Sequence, residues 1–539
     1  MRSSTTNTGP RHAAPPASRS ADGPDNDAPG SHSRPSTWLT WLTWAALAGL
    51  VAVTIAIRVH GLTSLGLWRD DAWVALTARV GIGTAWHMLV TTPGFHLLER
   101  TLIVIGPGTT WWAQLAPLVF GIAGVPAMYA LARYFMLSRR AALATAVLVC
   151  ISPPCALYAT RVKEYTADFL LTCLLLALAE AARRRPRRNQ LMAFGLVSVF
   201  AFFVSATVVT VITGLWLMLG LFALRDGRVL RRVIGASVVT AVGCGAVAAV
   251  FYRDISPVLA NSFSTYYIVY TSPRTFLLSV YDTLWNVFSQ FLGFPYRGTP
   301  TEHVAITLTL VALAAVGTYR RASMFGPALV VAVALGFCAA RLAPLGLGRT
   351  EIYLYPALLL LWAAGATRLL VLLSVPLSNV VRPLAWTFGL LASLATGLLL
   401  YQAVQTAPSY TNTDVKGLVA AMHKVGVSGD HIFVSELMRY PWGLYEDTPL
   451  HIEFGSDWAV GFTVVSTNPN VFIVPSEAYE EGSDPSLWAS EMSRYHRLWY
   501  VWAPPLAVNP SYAALLQDGW HQIAAVYAAG CDATLLERG

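Results

Sequence analysis

What most constrains this chain is a pattern. Apolar runs of about 20 residues, the length that crosses the hydrocarbon of a bilayer, return again and again. The first is Trp38 to Ile57, and others follow near 111–135, 141–156, 165–182, 190–206, 207–224, 233–252, 303–318, 324–341, 352–371 and 384–404. Charged residues make up 12% of the chain, against about 25% in a soluble domain. The expected fold class is therefore mainly α, a polytopic membrane protein of about eleven transmembrane helices. Phe95 to Gly106 is apolar but too short to span, and reads as an interfacial or re-entrant helix on the outer side.

Basic residues orient the spans. Arg139-Arg140, the run from Arg183 to Arg188, Arg225 with Arg228, Arg231-Arg232 and Arg320-Arg321 all fall on the side of the N-terminal tail. The positive-inside rule makes that side cytoplasmic. The same clusters account for the net charge of +8, so nucleic acid is not an expected partner. Residues 1–36, rich in Ser, Pro, Asp, Asn and Arg, are expected to form a disordered cytoplasmic tail. Residues 37–404 form the membrane part, with outer loops at 58–110 and 253–302. From about 405 charges and turn residues return, which predicts an extracytoplasmic α/β domain over 405–539. Strands are expected there at Ile432–Val434, Val471–Val474, Leu498–Trp502 and Ile523–Tyr527, and helices at Val415–Val425, Leu487–His496 and Ser511–Leu516. Such a chain belongs in the plasma membrane, with its N-terminus cytoplasmic. Five of six cysteines lie in or beside apolar runs without ligand spacing, and Cys531 has no partner nearby, so neither a disulfide framework nor a zinc site is expected.

Three outer loops concentrate ionisable residues at the mouths of spans, where unpaired charge is costly. The first holds Asp70-Asp71, and further along it Thr92-Pro93-Gly94-Phe95-His96. Either aspartate could equally be the N-cap of a helix over Ala72–Val80. The second runs from Tyr158 through Arg161, Lys163, Glu164 and Tyr165 to Asp168. A helix beginning near Arg161 would set Arg161, Glu164, Tyr165 and Asp168 on one face. The third contains Arg349, Glu351 and Tyr353. An acid on this side could act as general base on a hydroxyl, while fixed cations hold an anionic leaving group. A lipid-linked phosphate arrives at a membrane surface with its tail between helices, so the set suits sugar transfer from a polyprenyl-phosphate donor.

These residues resemble the GT-C-fold glycosyltransferases that use polyprenyl-phosphate sugars, among them protein O-mannosyltransferases, aminoarabinose transferases and actinobacterial arabinosyl- and mannosyltransferases. The resemblance lies in Asp70-Asp71-Ala72 after the first span, in Pro93-Gly94-Phe95-His96, in Ser152-Pro153 followed by Lys163-Glu164-Tyr165-Thr166-Ala167-Asp168, and in Arg349 with Tyr353 and Pro356. It departs where Asp71 replaces the commoner Glu and where one Pro stands for two. The resemblance implies a GT-C-like fold, with Asp70 as catalytic base and Asp71 orienting the acceptor or helping to hold a metal. It also implies Arg161, Lys163 and Arg349 as ligands of the donor phosphate. His96, Glu164, Tyr165, Asp168 and Tyr353 are the expected substrate contacts. No cofactor is expected; Mg²⁺ or Mn²⁺ held by Asp70 or Asp71 with Glu164 or Asp168 is the less favoured alternative.

The expected activity is thus that of an inverting membrane glycosyltransferase. It would move a sugar from a polyprenyl-phosphate donor to a hydroxyl of an envelope glycan, lipid or protein. The rivals are a lipid-linked sugar flippase, which would place its charges near mid-membrane, and a non-catalytic scaffold with an outer binding domain.

Overall fold

A computed structural model of the chain describes residues 37–60, 62, 66–80, 91–106, 110–251, 263–293, 299–374, 413–425, 429–446, 450–454, 462–473, 490–503 and 510–539. The expected tail at 1–36 and the expected span at 384–404 lie outside the described residues.

The membrane part opens with α1 (Thr37–His60), α2 (Arg69–Arg79), α3 (Pro93–Ile105) and α4 (Thr110–Ala113). It continues with α5 (Leu115–Tyr134), α6 (Arg139–Ile151), α7 (Pro153–Leu157), α8 (Tyr165–Arg184), α9 (Arg188–Val204) and α10 (Val208–Ala223). Then come α11 (Gly227–Phe251), α12 (Pro273–Leu292), α13 (Pro300–Thr318), α14 (Phe325–Ala339) and α15 (Tyr355–Ser374). Seven helices among the described residues are long and apolar enough to cross a membrane: α1, α5, α8, α11, α13, α14 and α15. The expected hairpin at 190–224 is present as α9 and α10, which turn at 205–207. The basic clusters share one end of the bundle: Arg184 donates to the Tyr134 carbonyl at 2.9 Å, and the Arg183 guanidinium lies over the Phe222 ring at 5.2 Å.

Three expectations are corrected. A continuous span over 141–156 does not form, because Pro153 has no N–H for the Val149 carbonyl and breaks the helix after Ile151. The buried Arg58 of α1 takes up the freed Val149 carbonyl at 3.4 Å and also donates to the Cys155 carbonyl at 3.4 Å. Next, the loop at 253–302 contains an unforeseen helix, α12, of 20 residues. Ser272 caps its start by accepting from Thr275 N–H, and Gly293 ends it at φ 69°. Finally, α8 begins at Tyr165 with Glu164 as its N-cap, so Arg161 is not on its helical face. The short apolar run is a helix, as expected: α3 has 13 residues, about 20 Å at 1.5 Å each, and cannot cross. It buries Phe95, His96 and Glu99 and exposes Leu97 and Val104.

α13 and α15 pack at backbone distance. A Cβ on Gly317 would sit 2.3 Å from the Leu361 carbonyl oxygen, and one on Gly365 would sit 2.0 Å from that of Leu313. The blocking atoms are main chain, so only separation of the helices could relieve the clash. Gly365→Val is therefore expected to cost at least the 1–3 kcal/mol (an order-of-magnitude figure) typical of overpacking, read as a lowered melting midpoint of the purified chain. An unchanged midpoint would show that the two helices do not meet there.

The C-terminal part is α/β. Its strands are β1 (His431–Val434), β2 (Leu450–Phe454), β3 (Phe462–Ser466), β4 (Val471–Ile473), β5 (Arg497–Trp502), β6 (Trp520–Ala528) and β7 (Cys531–Arg538), with helices α16 (Val415–Val425), α17 (Arg439–Tyr445) and α18 (Pro510–Gln517). Among the described residues one sheet runs β4-β1-β5-β7-β6, and β2 pairs with β3 apart from it. β1 lies parallel to β4 and β5, with Phe433 opposite Tyr500, whereas β7 is antiparallel to β5 and β6, with Leu535 opposite Trp499. β2, β3 and β7 were not expected. Of the expected helix at Leu487–His496, residues 490–492 are helical and 487–489 lie outside the described residues.

α2 joins the two parts. Its Ala72, Val74, Ala75 and Ala78 share one buried core with Val415, Trp442, Phe462 and Trp499 of the α/β part. Trp73 meets Tyr440 edge to face at 5.7 Å, Arg79 donates to the Leu444 carbonyl at 2.6 Å, and Leu67 N–H donates to the Tyr445 hydroxyl at 3.0 Å. The short helix that carries the acidic pair is thus held by the C-terminal sheet as well as by the bundle.

Candidate active site

The cap reading of the acidic pair does not hold. Trp68 is the N-cap of α2, and Asp70 and Asp71 stand in its first turn, where the free N–H groups favour negative charge. From that turn the two side chains diverge. Asp71 is buried. One of its oxygens takes the Arg161 guanidinium at 3.0 Å and the other accepts from Val162 N–H at 2.8 Å. Burial pushes the Asp71 carboxyl up, against the opposing pull of Arg161. Asp70 is partly exposed and pairs with Arg349 at 2.9 Å.

Arg349 comes from a loop whose shape two glycines set. Gly346 and Gly348 sit at φ 94° and 76°, a region other residues rarely adopt. The buried Glu351 closes the turn by accepting from Gly348 N–H at 2.6 Å and from Thr350 Oγ1 at 3.2 Å. The loop rests on α12: a Cβ on Gly346 would meet Asn286 at 2.9 Å, and one on Gly348 would meet Gln290 at 3.0 Å. The unforeseen helix is therefore the seat of the Arg349 loop.

Lys163 is nearly buried, with its ammonium 4.7 Å from the centre of the Trp73 ring. Burial lowers its pKa, while the charges of Asp70, Glu164 and Asp71 pull it back up. Tyr158 and Tyr165 stack edge to face at 5.0 Å near the Arg349 guanidinium. Burial pushes the Tyr158 hydroxyl up to about 12, so it is a neutral donor at physiological pH.

Of the residues expected from sequence, the structure brings together Asp70, Asp71, Arg161, Lys163, Arg349 and Tyr165. Glu164 lies at their edge, accepting from Thr91 Oγ1 at 2.7 Å. Asp168 is turned away to the α9–α10 turn, where Thr207 donates to it at 2.9 Å. His96 is buried behind α2, its Nδ1 3.5 Å from Thr77 Oγ1. Tyr353 is buried in the helical core rather than lining the cluster. Among the described residues no three His, Cys, Asp or Glu side chains are grouped as a metal would require; Asp71 already spends both oxygens within the protein.

Glu99 was not expected. It lies on α3, fully buried, and among the described residues neither carboxylate oxygen has a hydrogen-bond partner. Burial, and then the charge of Asp71, hold its carboxyl well above the usual range, which favours the protonated form. A raised folded pKa contributes stability that is complete below the unfolded value of about 4.3 and is lost as pH rises toward the folded one. Glu99→Gln, which cannot ionise, should therefore melt a few degrees above the wild type at pH ~8, with the gap closing near pH ~4.5. An equal gap at both pH values would exclude an acid held neutral here.

No family model matches the chain, and no curated protein matches it in sequence. Solved structures do. The crystal structure of ArnT from Cupriavidus metallidurans in the apo state superposes with a TM-score of 0.52 at 13% identity, covering 93% of this chain and 98% of that one. The fold is GT-C-like. The same protein bound to undecaprenyl phosphate gives a TM-score of 0.52 at 15% identity over the same shares. At such identity the likeness speaks for the multi-pass membrane fold and its C-terminal strand-containing part, and for nothing finer.

Proposed function

We propose that this chain is an inverting glycosyltransferase that moves a sugar from a polyprenyl-phosphate donor to a hydroxyl of an envelope glycan, lipid or protein. The observation that carries the reading is the convergence of Asp70, Arg349 and Lys163, from three distant segments, at one end of the bundle. That the similar ArnT binds undecaprenyl phosphate supports the donor class.

In this reading Asp70 takes the proton of the acceptor hydroxyl as its oxygen bonds to the anomeric carbon. The bond from that carbon to the phosphate oxygen breaks with its electrons on the oxygen, and polyprenyl phosphate leaves. Attack opposite the leaving group inverts the carbon. Arg349 moves from Asp70 to the incoming phosphate, which frees the base as the donor arrives. Lys163 forms no salt bridge among the described residues, so its charge is ready for the same anion. Arg161 is committed to Asp71 and acts by positioning it. The Arg-rich end is cytoplasmic and the C-terminal α/β part extracytoplasmic, where its contact with α2 would guide the acceptor. A divalent cation is not assigned a step.

The test is a reconstituted preparation offered radiolabelled undecaprenyl- or decaprenyl-phosphate hexoses and pentoses with an envelope extract. Label should leave one donor and yield free polyprenyl phosphate, and Arg349→Ala and Lys163→Ala should each weaken the reaction through the donor. No transfer or donor cleavage from any of them would favour a scaffold.

A further inference from the structure

At the end of the bundle away from Asp70, α9 and α11 enclose a groove of about 350 Å³. Its walls are apolar apart from Thr240 and the mouth, where Arg188 stands on the first turn of α9 and Arg232 on the second turn of α11. The helices converge farther along: a Cβ on Gly195 would meet Thr240 Oγ1 at 2.7 Å, and one on Gly243 would meet Val199 at 2.7 Å. At Gly235 a Cβ would meet nothing within 4 Å. The groove therefore opens toward the arginines and closes away from them.

Among the described residues, Glu180 and Asp226 at this end are already engaged. Glu180 holds Arg183 at 2.6 Å and Arg184 at 2.8 Å. Asp226 caps α11, accepting from Arg228 N–H at 2.8 Å and Val229 N–H at 3.3 Å. Among the described residues no carboxylate pairs with Arg188 or Arg232, and both are exposed. Beside them the outer face of α11 shows Ile234, Val238, Val239 and Val242, a surface suited to lipid and not to water. Two arginines with no carboxylate partner among the described residues, over a mostly apolar slot, complement a molecule with an anionic head and a hydrocarbon tail.

We propose that this groove binds one anionic glycerophospholipid, its phosphate on Arg188 and Arg232 and an acyl chain laid along Gly235. The basic end of the bundle faces the leaflet whose anionic lipids attract such arginines. The site lies at the opposite end from Asp70 and does not depend on the proposed transferase activity.

Native mass spectrometry of the full chain in detergent, titrated separately with phosphatidylglycerol, phosphatidylcholine and undecaprenyl phosphate, tests it. One phosphatidylglycerol should be retained in preference to phosphatidylcholine. R188Q/R232Q should weaken it about thirty-fold, the joint surface contribution of two arginines, whereas R139Q/R140Q at the same end should not. G235F fills the slot with both arginines intact and should abolish the preference, while G235A, which leaves it open, should keep it. Equal binding of phosphatidylglycerol and phosphatidylcholine overturns the proposal. So does phosphatidylglycerol retained in G235F, which would mean surface charge alone, or undecaprenyl phosphate whose retention falls in R188Q/R232Q and G235F but not in Lys163→Ala, which would make the groove a polyprenyl site.

Discussion

Asp70→Asn is expected to lower sugar transfer about 10³-fold, within the 10²–10⁴-fold typical of a general base, while the protein still folds. The substitution keeps the shape of the side chain and an oxygen that can accept from Arg349, which lies 2.9 Å away in the wild type. What it removes is the ability to take a proton. Both partners of that pair are partly exposed, at 26% for Asp70 and 30% for Arg349, so its loss costs little stability. The fall should appear in kcat and in kcat/KM alike, because the proton moves only in the transition state. A variant with a raised KM and an unchanged kcat would make Asp70 a binding group. Undiminished transfer would end its assignment as base, whatever the fate of Arg349.

Much of this arrangement was legible in the chain. Apolar runs of bilayer length gave α5, α8, α13, α14 and α15 nearly to their ends, because burial in lipid and in the bundle leaves few polar positions in such a helix. The site was legible for the same reason: in a chain so poor in charge, Asp70, Arg161, Lys163 and Arg349 at the mouths of spans had to be paired or functional. What could not be read is who pairs with whom. Asp70 and Asp71 are adjacent and chemically alike, and only the packing of Val162 against α2 decides that Asp71 is the buried one. α12 escaped notice because Asp282, Asn286 and Gln290 break its apolar pattern, although Ser272-Pro273 and Gly293 mark its ends. Glu99 sits in a short apolar run where a lone acid reads as a solvated face; its burial follows from α3 packing on α2. β2 and β3 form a pair outside the main sheet, a choice that tertiary contacts make.

Arg161→Ala is expected to destabilise the protein by about 3–5 kcal/mol, the usual cost of stranding one member of a buried ion pair. Asp71 is 2% exposed and Arg161 15%, so solvent cannot take over the lost partner. The remaining carboxylate would keep only Val162 N–H, and burial, already pushing its pKa up, would act unopposed by the arginine. The sign of the pH effect follows. An acid whose folded pKa is raised contributes full stability below the unfolded value of about 3.9 and loses it as pH climbs. The deficit of Arg161→Ala should therefore be largest at neutral pH and shrink as pH falls toward ~4. Pairing the change with Asp71→Asn, which removes the stranded charge, should recover part of the melting midpoint. Transfer should fall in Arg161→Ala as well, because the Arg161–Asp71 pair ties the loop that carries Lys163 to α2, the helix of Asp70. If Arg161 instead held the donor phosphate, its removal would raise KM for the donor and leave the midpoint where it was. A double-mutant cycle read by both melting and donor KM separates a guanidinium that builds the site from one that binds the substrate.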